Sequence, residues 1–220
     1  MTSPQLFENS GIFTPQIEGI DPDTILRIHG YKTPDKVKTV IREMARKMLD
    51  EGMSIFEPLI YYRKIKIQSV EGAFLRLETG QTCLENPEFE ITLSECTHIV
   101  VFLLTLGQGP DQKSVALLQN DDLLEAVFLE TASWLAIERA TRFFTQQLRS
   151  ILSNHNCRIT RRLAPGYKEW PLTDQKKIFK LFEEQDMVIR LLDGDCMQPK
   201  MSRSGLFGIA PERACKAEPN

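Results

Sequence analysis

The chain offers no run of apolar residues long enough to cross a membrane as a helix. Its longest, Ile99 to Leu104, has the length of a buried strand and falls far short of the roughly 18 residues a span needs. The opening Met1-Thr2-Ser3-Pro4 lacks the basic-then-apolar signature of a secretory leader, so a cytoplasmic protein is expected. Charge of one sign is not in excess. With 27 Lys and Arg against 30 Asp and Glu, the net charge is −3, and the overall field gives no reason to expect nucleic acid. The three histidines, His29, His98 and His155, lie far apart and have no i, i+4 partner. No C-x-x-C pair occurs among the five cysteines, Cys83, Cys96, Cys157, Cys196 and Cys215. Zinc and redox-motif readings therefore have little support, and reduced thiols are expected. Gly107-Gln108-Gly109-Pro110-Asp111 has neither the G-x-G-x-x-G spacing of a dinucleotide loop nor the Lys of a P-loop, and reads as a simple loop. There is no internal repeat and no low-complexity linker.

What is present is an ordinary globular composition over 220 residues, enough to build a core without disulfide or metal staples. Thr33-Pro34-Asp35 reads as a helix start, with Pro at the first helical position. Val37, Val40, Ile41, Met44, Ala45, Met48 and Leu49 follow at helical spacing, and Gly52 is a natural stop. Tyr61 to Gln68 alternates apolar and polar residues, Glu71-Gly72 marks a turn, and Phe74 to Leu77 reads as the return strand of a hairpin. Ile99 to Leu104 reads as a central strand, apolar on both faces. A long helical region from about Gln112 to Ser153 carries a potential break at Asn120-Asp121-Asp122. Strands are expected over Arg158 to Leu163, Met187 to Leu192 and Leu206 to Ile209, and a helix from Thr173 to about Glu184. Helices and strands alternate without regular βαβ spacing. The expected class is α+β: a central antiparallel or mixed sheet flanked by helices, not a Rossmann fold.

Three segments could carry chemistry. In Arg161-Arg162-Leu163-Ala164-Pro165-Gly166-Tyr167, followed by Trp170-Pro171, a guanidinium, a tight turn and an aromatic ring fall within a few positions. Arg presents a fork of donors that fits a carboxylate or phosphate. Pro-Gly presets a turn and lets a ligand approach the backbone. Tyr167 adds a flat apolar face with a polar tip. A small aromatic zwitterion suits the set, and a strand ending in a surface turn with an incidental Arg suits it equally well. The second segment is the stripe Leu123, Val127, Glu130, Trp134, Ile137 and Thr141 on the long helix, where Glu130 is a carboxylate among apolar neighbours. It pairs with Arg161 or Arg162, holds a ligand's polar group, or reaches water at the edge of the core; the last is the commonest fate of a Glu. The third is Asp193-Gly194-Asp195-Cys196-Met197 through Ser202-Arg203-Ser204-Gly205, which reads as a hairpin loop. Its acids lack the spacing of a calcium loop and its serines lack a nearby His.

Taken in order, these segments resemble the reactivation domain of cobalamin-dependent methionine synthase. Arg162-Leu163-Ala164-Pro165-Gly166-Tyr167, then Pro171, is similar to that domain's Arg-Pro-Ala-Pro-Gly-Tyr segment, which binds S-adenosylmethionine. Thr105-Leu106-Gly107 through Asp111 precedes it, as does the long helix with Glu130 and Glu138. Met197-x-Pro199-x-x-Ser202-x-Ser204-Gly205 follows it. The likeness spans residues 25 to 210 or so. It divides the chain into a loosely ordered arm (1–20), an activation-like domain (21–212) and a tail (213–220).

The resemblance implies a curved α+β domain that binds S-adenosylmethionine and meets cobalamin only through a partner protein. By position, Arg162 would grip the carboxylate of S-adenosylmethionine. The backbone at Ala164 would contact it, Gly166 would give clearance and Tyr167 would pack on it. Glu130 and Asp193 would meet its polar groups. Where the family carries a Tyr within Glu-Ser-Tyr-Ala-Met, this chain has Asp195. It also lacks the Asp-x-His-x-x-Gly cobalt-ligand motif, and it has no room for two barrels of about 250 residues each. The implied role is an activation subunit, inactive alone. It would act in trans on a cobalamin-binding methionine synthase module, with an electron donor such as flavodoxin or ferredoxin. A different corrinoid methyltransferase system as client, or a scaffold that has lost the ligand, are the other readings.

Overall fold

The run Ile99 to Leu104 forms the middle of a strand buried on both sides. The structure, a computed structural model, describes residues 9–79 and 82–212. In chain order its strands are β1 (Ser10–Phe13), β2 (Leu59–Glu71), β3 (Phe74–Leu77), β4 (Cys83–Glu85), β5 (His98–Thr105), β6 (Cys157–Ile159), β7 (Arg190–Leu191), β8 (Met197–Gln198) and β9 (Ser202–Pro211). The helices are α1 (Pro22–Ile28), α2 (Thr39–Ile55), α3 (Glu88–Leu93), α4 (Gly109–Gln119), α5 (Leu123–Ser153) and α6 (Gln175–Lys180).

Seven strands form one sheet in the order β4-β3-β2-β5-β9-β6, with β1 beside the first half of β2. Every pairing is antiparallel. This is the expected α+β class, and the antiparallel form of it. Strand periodicity sends Ile99, Val101 and Leu103 to one face and Val100, Phe102 and Leu104 to the other. The first face is covered by Phe89 and Leu93 of α3, Ile178 of α6, and Trp170, Phe182 and Ile189 from the segments around α6. The second face is covered by Ala136, Ile137, Ala140, Phe144 and Leu148 of α5. A third core joins α1, α2 and the first half of α5 through Ile25, Met48, Phe128 and Leu129. With 31 residues, α5 is about 46 Å long and so serves two cores. None of the described helices is long and apolar enough to cross a membrane.

Several local expectations shift for physical reasons. Thr33-Pro34 starts a separate 3-10 turn, Pro34–Lys36, and α2 begins only at Thr39. Gly52 does not stop α2. It lies buried inside the helix, where a Cβ would come within 2.8 Å of the Phe56 ring and 3.4 Å of Leu129. The residue serves close packing rather than termination. The helix break at Asn120–Asp122 is present, with Asp121 at φ 60° separating α4 from α5. Gly72, at φ 57°, opens the two-residue turn that joins β2 to β3.

Residues 9–20 of the expected loose arm include β1, where Phe13 stacks on Phe143 at 6.0 Å and packs tilted against Phe144 at 5.7 Å. Residues 1–8 and the tail 213–220, with Cys215, lie outside the described residues. The strand expected over Arg158 to Leu163 shortens to β6, with Leu163 keeping one isolated bridge to Leu206. The helix expected from Thr173 contracts to a 3-10 turn and α6, with Ile178 and Phe182 fully buried as its inward residues.

Candidate functional site

A single bridge places the Arg162 segment. Leu163 and Leu206 exchange backbone hydrogen bonds of 2.9 and 2.8 Å, which fastens the chain to β9. Leu163 and Ala164 are buried, so the chain must turn, and it does so at Pro165-Gly166 with Gly166 at φ 82°. The Gly166 N–H donates to the Trp170 carbonyl at 2.9 Å, and the Trp170 N–H returns to the Tyr167 carbonyl at 3.2 Å. Trp170 is the anchor of this turn. Its ring packs edge-on against Phe89 at 5.0 Å, and its Nε1–H donates to Asp174 Oδ2 at 3.0 Å. The same oxygen accepts the Glu85 N–H at 3.1 Å, while Oδ1 pairs with Lys177 at 2.7 Å. Pinned in this way, the turn leaves Tyr167 59% exposed, with its ring 5.2 Å from the Arg162 guanidinium carbon.

These residues form one wall of a cleft of about 440 Å³. Trp134 and Ile137 of α5 form another, and Lys200, Met201 and the start of β9 close the third side. Trp134, 48% exposed, is a second aromatic surface across from Tyr167. The loop before β9 is tied down at several points. Lys200 donates its backbone N–H to Asp111 Oδ2 at 2.8 Å, and its Nζ pairs with Glu130 at 2.7 Å. Ser202 Oγ lies 3.0 Å from Thr105 Oγ1, and Ser204 Oγ donates to Gln175 Oε1 at 2.8 Å. Both serines are thus structural ties.

Positive charge outweighs negative at the inner end of the cleft. Arg203 is buried, bonded through Nη2 to Glu138 and through Nη1 to the Thr141 hydroxyl at 3.1 Å. The Arg203 hydrogen bond holds the Glu138 carboxyl below its usual range, against the opposing effect of partial burial. Arg162 donates to the Ser204 carbonyl at 3.1 Å. Burial first, and the Arg203 charge second, pull the Arg162 pKa down, with Tyr167 and Glu138 acting the other way. A guanidinium stays protonated regardless. Among the described residues no carboxylate forms an ion pair with Arg162. Such an arrangement is chemically prepared for an anion flanked by flat apolar surface.

Of the residues proposed from sequence, Arg162, Ala164, Gly166 and Tyr167 come together on the cleft. Glu130 stands at its edge, its side chain 50% exposed, held by Lys200 and by neither Arg161 nor Arg162. Arg161 pairs instead with Glu88 at 2.8 Å. Of the stripe, Leu123, Val127 and Trp134 are exposed while Ile137 and Thr141 are buried, so it runs along the edge of the core, where Glu130 reaches water.

Asp193 does not join the site. It lies exposed in the tight turn between β7 and β8, closed by Leu192 N–H to the Cys196 carbonyl at 2.8 Å and by Gly194 at φ 87°. Asp195 turns inward instead and pairs with Lys176 at 3.3 Å. A buried acid thus occupies the position where the resemblance expects an aromatic ring. Sequence reasoning missed Trp134, Lys200 and Arg203 as cleft residues. Trp134 was visible on the Glu130 stripe, four positions along the helix. Lys200 and Arg203 occupy unspecified positions of the Met-x-Pro-x-x-Ser-x-Ser-Gly pattern and gave no signal.

The sequence matches no protein-family model and no curated protein. Among solved structures, the fold is similar to the crystal structure of the MetH reactivation domain bound to AdoHcy. The TM-score is 0.53 at 18% identity, over 89% of this chain and 74% of that one. The class is thereby defined: this is a mixed α+β domain with a central antiparallel sheet flanked by helices, built as the MetH reactivation domain is. At that identity the likeness establishes the fold.

Proposed function

We propose that the cleft binds S-adenosylmethionine and presents its methyl group to a cobalamin protein during reductive reactivation. One observation carries this reading: a half-buried guanidinium with no carboxylate partner among the described residues, Arg162, stands on a cleft that two exposed aromatic rings, Trp134 and Tyr167, also line. Arg162 takes the ligand carboxylate, with fork and anion matched in shape. The backbone at Ala164 and the side-chain-free face of Gly166 let the ligand lie close. Trp134 and Tyr167 take the adenine and ribose faces. The structurally similar MetH domain is bound to AdoHcy, which is S-adenosylmethionine without its methyl group.

Catalysis on this reading is positioning. Bound S-adenosylmethionine would supply the methyl group, the electron pair of the broken C–S bond staying on sulfur, to a reduced cobalt that a partner would carry. No side chain of this chain has to act as acid or base. An external donor such as flavodoxin or ferredoxin would supply the electron that the partner's cobalt requires. The client is a cobalamin-binding methionine synthase module or another corrinoid protein.

Titration calorimetry with S-adenosylmethionine tests the reading. Wild type binds. Arg162→Ala, folded as judged by circular dichroism, binds at least about tenfold more weakly, the scale of a lost charge-assisted hydrogen bond. A folded wild type that takes up no ligand overturns it.

A further inference from the structure

We propose that Arg203 is a second anchor for the ligand carboxylate, making a two-guanidinium receptor with Arg162. The inference rests on the reading of the cleft given above and goes beyond it in naming a residue and its partner. Strand alternation places Arg203 on the same face of β9 as Phe207, beneath α5, while Ser204 faces Gln175 on the other side. Arg203 thus lines the cleft where β9, α5 and the Arg162 segment meet, with its guanidinium on Glu138 and Thr141 of α5.

Among the described residues, Glu138 is the one carboxylate that pairs with it. That side chain is 45% exposed, whereas the Arg203 side chain is 10% exposed. Two guanidiniums thus share one half-solvated carboxylate, and a buried cation without full compensation is costly. A guanidinium has five N–H donors, and Glu138 and Thr141 take one bond each from this one. A carboxylate entering between Arg162 and Arg203 supplies the missing charge and takes donors from both. Glu138 then acts as a positioning residue. It fixes the Arg203 guanidinium through Nη2 and competes with the ligand for its charge.

The experiment compares S-adenosylmethionine with 5′-methylthioadenosine, which shares the nucleoside and sulfur but has no carboxylate. In wild type both bind. In Arg203→Gln, S-adenosylmethionine weakens roughly tenfold or more, as for a lost charged contact, while 5′-methylthioadenosine stays within about twofold. In Glu138→Gln the preference for S-adenosylmethionine over 5′-methylthioadenosine rises several-fold, because the competing carboxylate is gone. This second variant alters a half-exposed side chain and keeps the test alive if Arg203→Gln does not fold. Equal changes for the two ligands in either variant, or no change, overturn the assignment and leave the cleft reading intact. A wild type that binds neither ligand overturns both.

Discussion

The Arg162 guanidinium carbon sits 5.2 Å from the centre of the Tyr167 ring, and the two side chains are held in that relation by a turn whose anchor, Trp170, is buried. The ring supplies the guanidinium with a face to rest on, not a countercharge. A cation over an aromatic face is worth about 0.5–2 kcal/mol, depending on how far it is desolvated.

Replacing the ring separates the roles of face and hydroxyl. Tyr167→Phe keeps the face and is expected to bind S-adenosylmethionine within about twofold of wild type. Tyr167→Ala frees Arg162 and weakens binding by a factor of roughly three to ten, on the scale of a cation–aromatic contact. The melting temperature barely moves in either variant, because Tyr167 is 59% exposed. Calorimetry beside thermal melts checks this, and equal binding by the Phe and Ala variants would refute it.

Gly205 is where β9 passes closest to the Arg162 segment. A Cβ there would meet the Leu163 carbonyl oxygen at 3.0 Å, Arg162 Cγ at 3.1 Å and Phe102 Cε1 at 3.1 Å. Gly205→Ala is expected to cost about 1–3 kcal/mol, as overpacking does, and to weaken ligand binding by pushing Arg162. Gly194 is the control: its Cβ would meet nothing within 4 Å, although its φ of 87° makes Ala unfavourable. Gly194→Ala should therefore lower stability and leave binding unchanged. Urea melts and calorimetry on both variants distinguish the two mechanisms.

Asp174 stabilises the turn from below. Its carboxylate accepts from Trp170 Nε1 and from the Glu85 N–H and pairs with Lys177, and it is 5% exposed. Asp174→Ala leaves the buried Trp170 Nε1–H without an acceptor, at about 1–3 kcal/mol, and the half-buried Glu85 N–H with it, at less. Both bonds end on Oδ2, so Asp174→Asn keeps an amide oxygen able to accept both and should recover a substantial part of the loss. Denaturant midpoints for the two variants give the comparison, and identical midpoints would show that the acceptor is not what matters.

The features legible in the sequence are those encoded within a few residues. Six consecutive apolar residues announce a strand buried on both faces, and Ile99 to Leu104 is that strand. Asn120-Asp121-Asp122 marks a helix break that Asp121 makes with a positive φ. Arg162 to Tyr167 reads as a turn carrying a guanidinium and a ring because all its parts are local.

The face of α5 was harder to read. Its inner surface mixes Phe128, Leu129, Phe144 and Leu148 with small residues such as Ala132, Ser133, Ala136 and Ala140, and the stripe itself runs along the edge, Leu123, Val127 and Trp134 exposed but Ile137 and Thr141 buried. Apart from Arg162, the charges of the cleft were not legible. Lys200 meets Glu130 across 70 positions and Arg203 meets Glu138 across 65, and only the sheet order brings them together. Asp193 came from the resemblance, by alignment with a family acid, and in this fold it lies exposed in the tight turn after β7, away from the cleft.

The Arg203–Glu138 pair also fixes a pH dependence. The Glu138 carboxyl titrates below its ordinary value of 4.5 in the folded protein, with the Arg203 hydrogen bond as the largest cause. The unfolded chain therefore binds a proton before the folded one does. The pair's contribution is fully present above the ordinary value and is lost as pH falls through the lowered one. Glu138→Gln removes that contribution. Wild type should melt higher than the variant at pH 7, and the gap should close progressively below about pH 4.5. Because the Glu138 side chain is 45% exposed, solvent screens the pair. The gap at pH 7 is then no more than about 3 °C for a chain of this size. Glu51 and Glu88, whose carboxyls are also held low by neighbouring cations, destabilise both proteins alike in acid and cancel in the difference. Thermal melts from pH 3 to 7 measure it. A gap that stays constant across that range would show that Glu138 acts through its shape and not its charge.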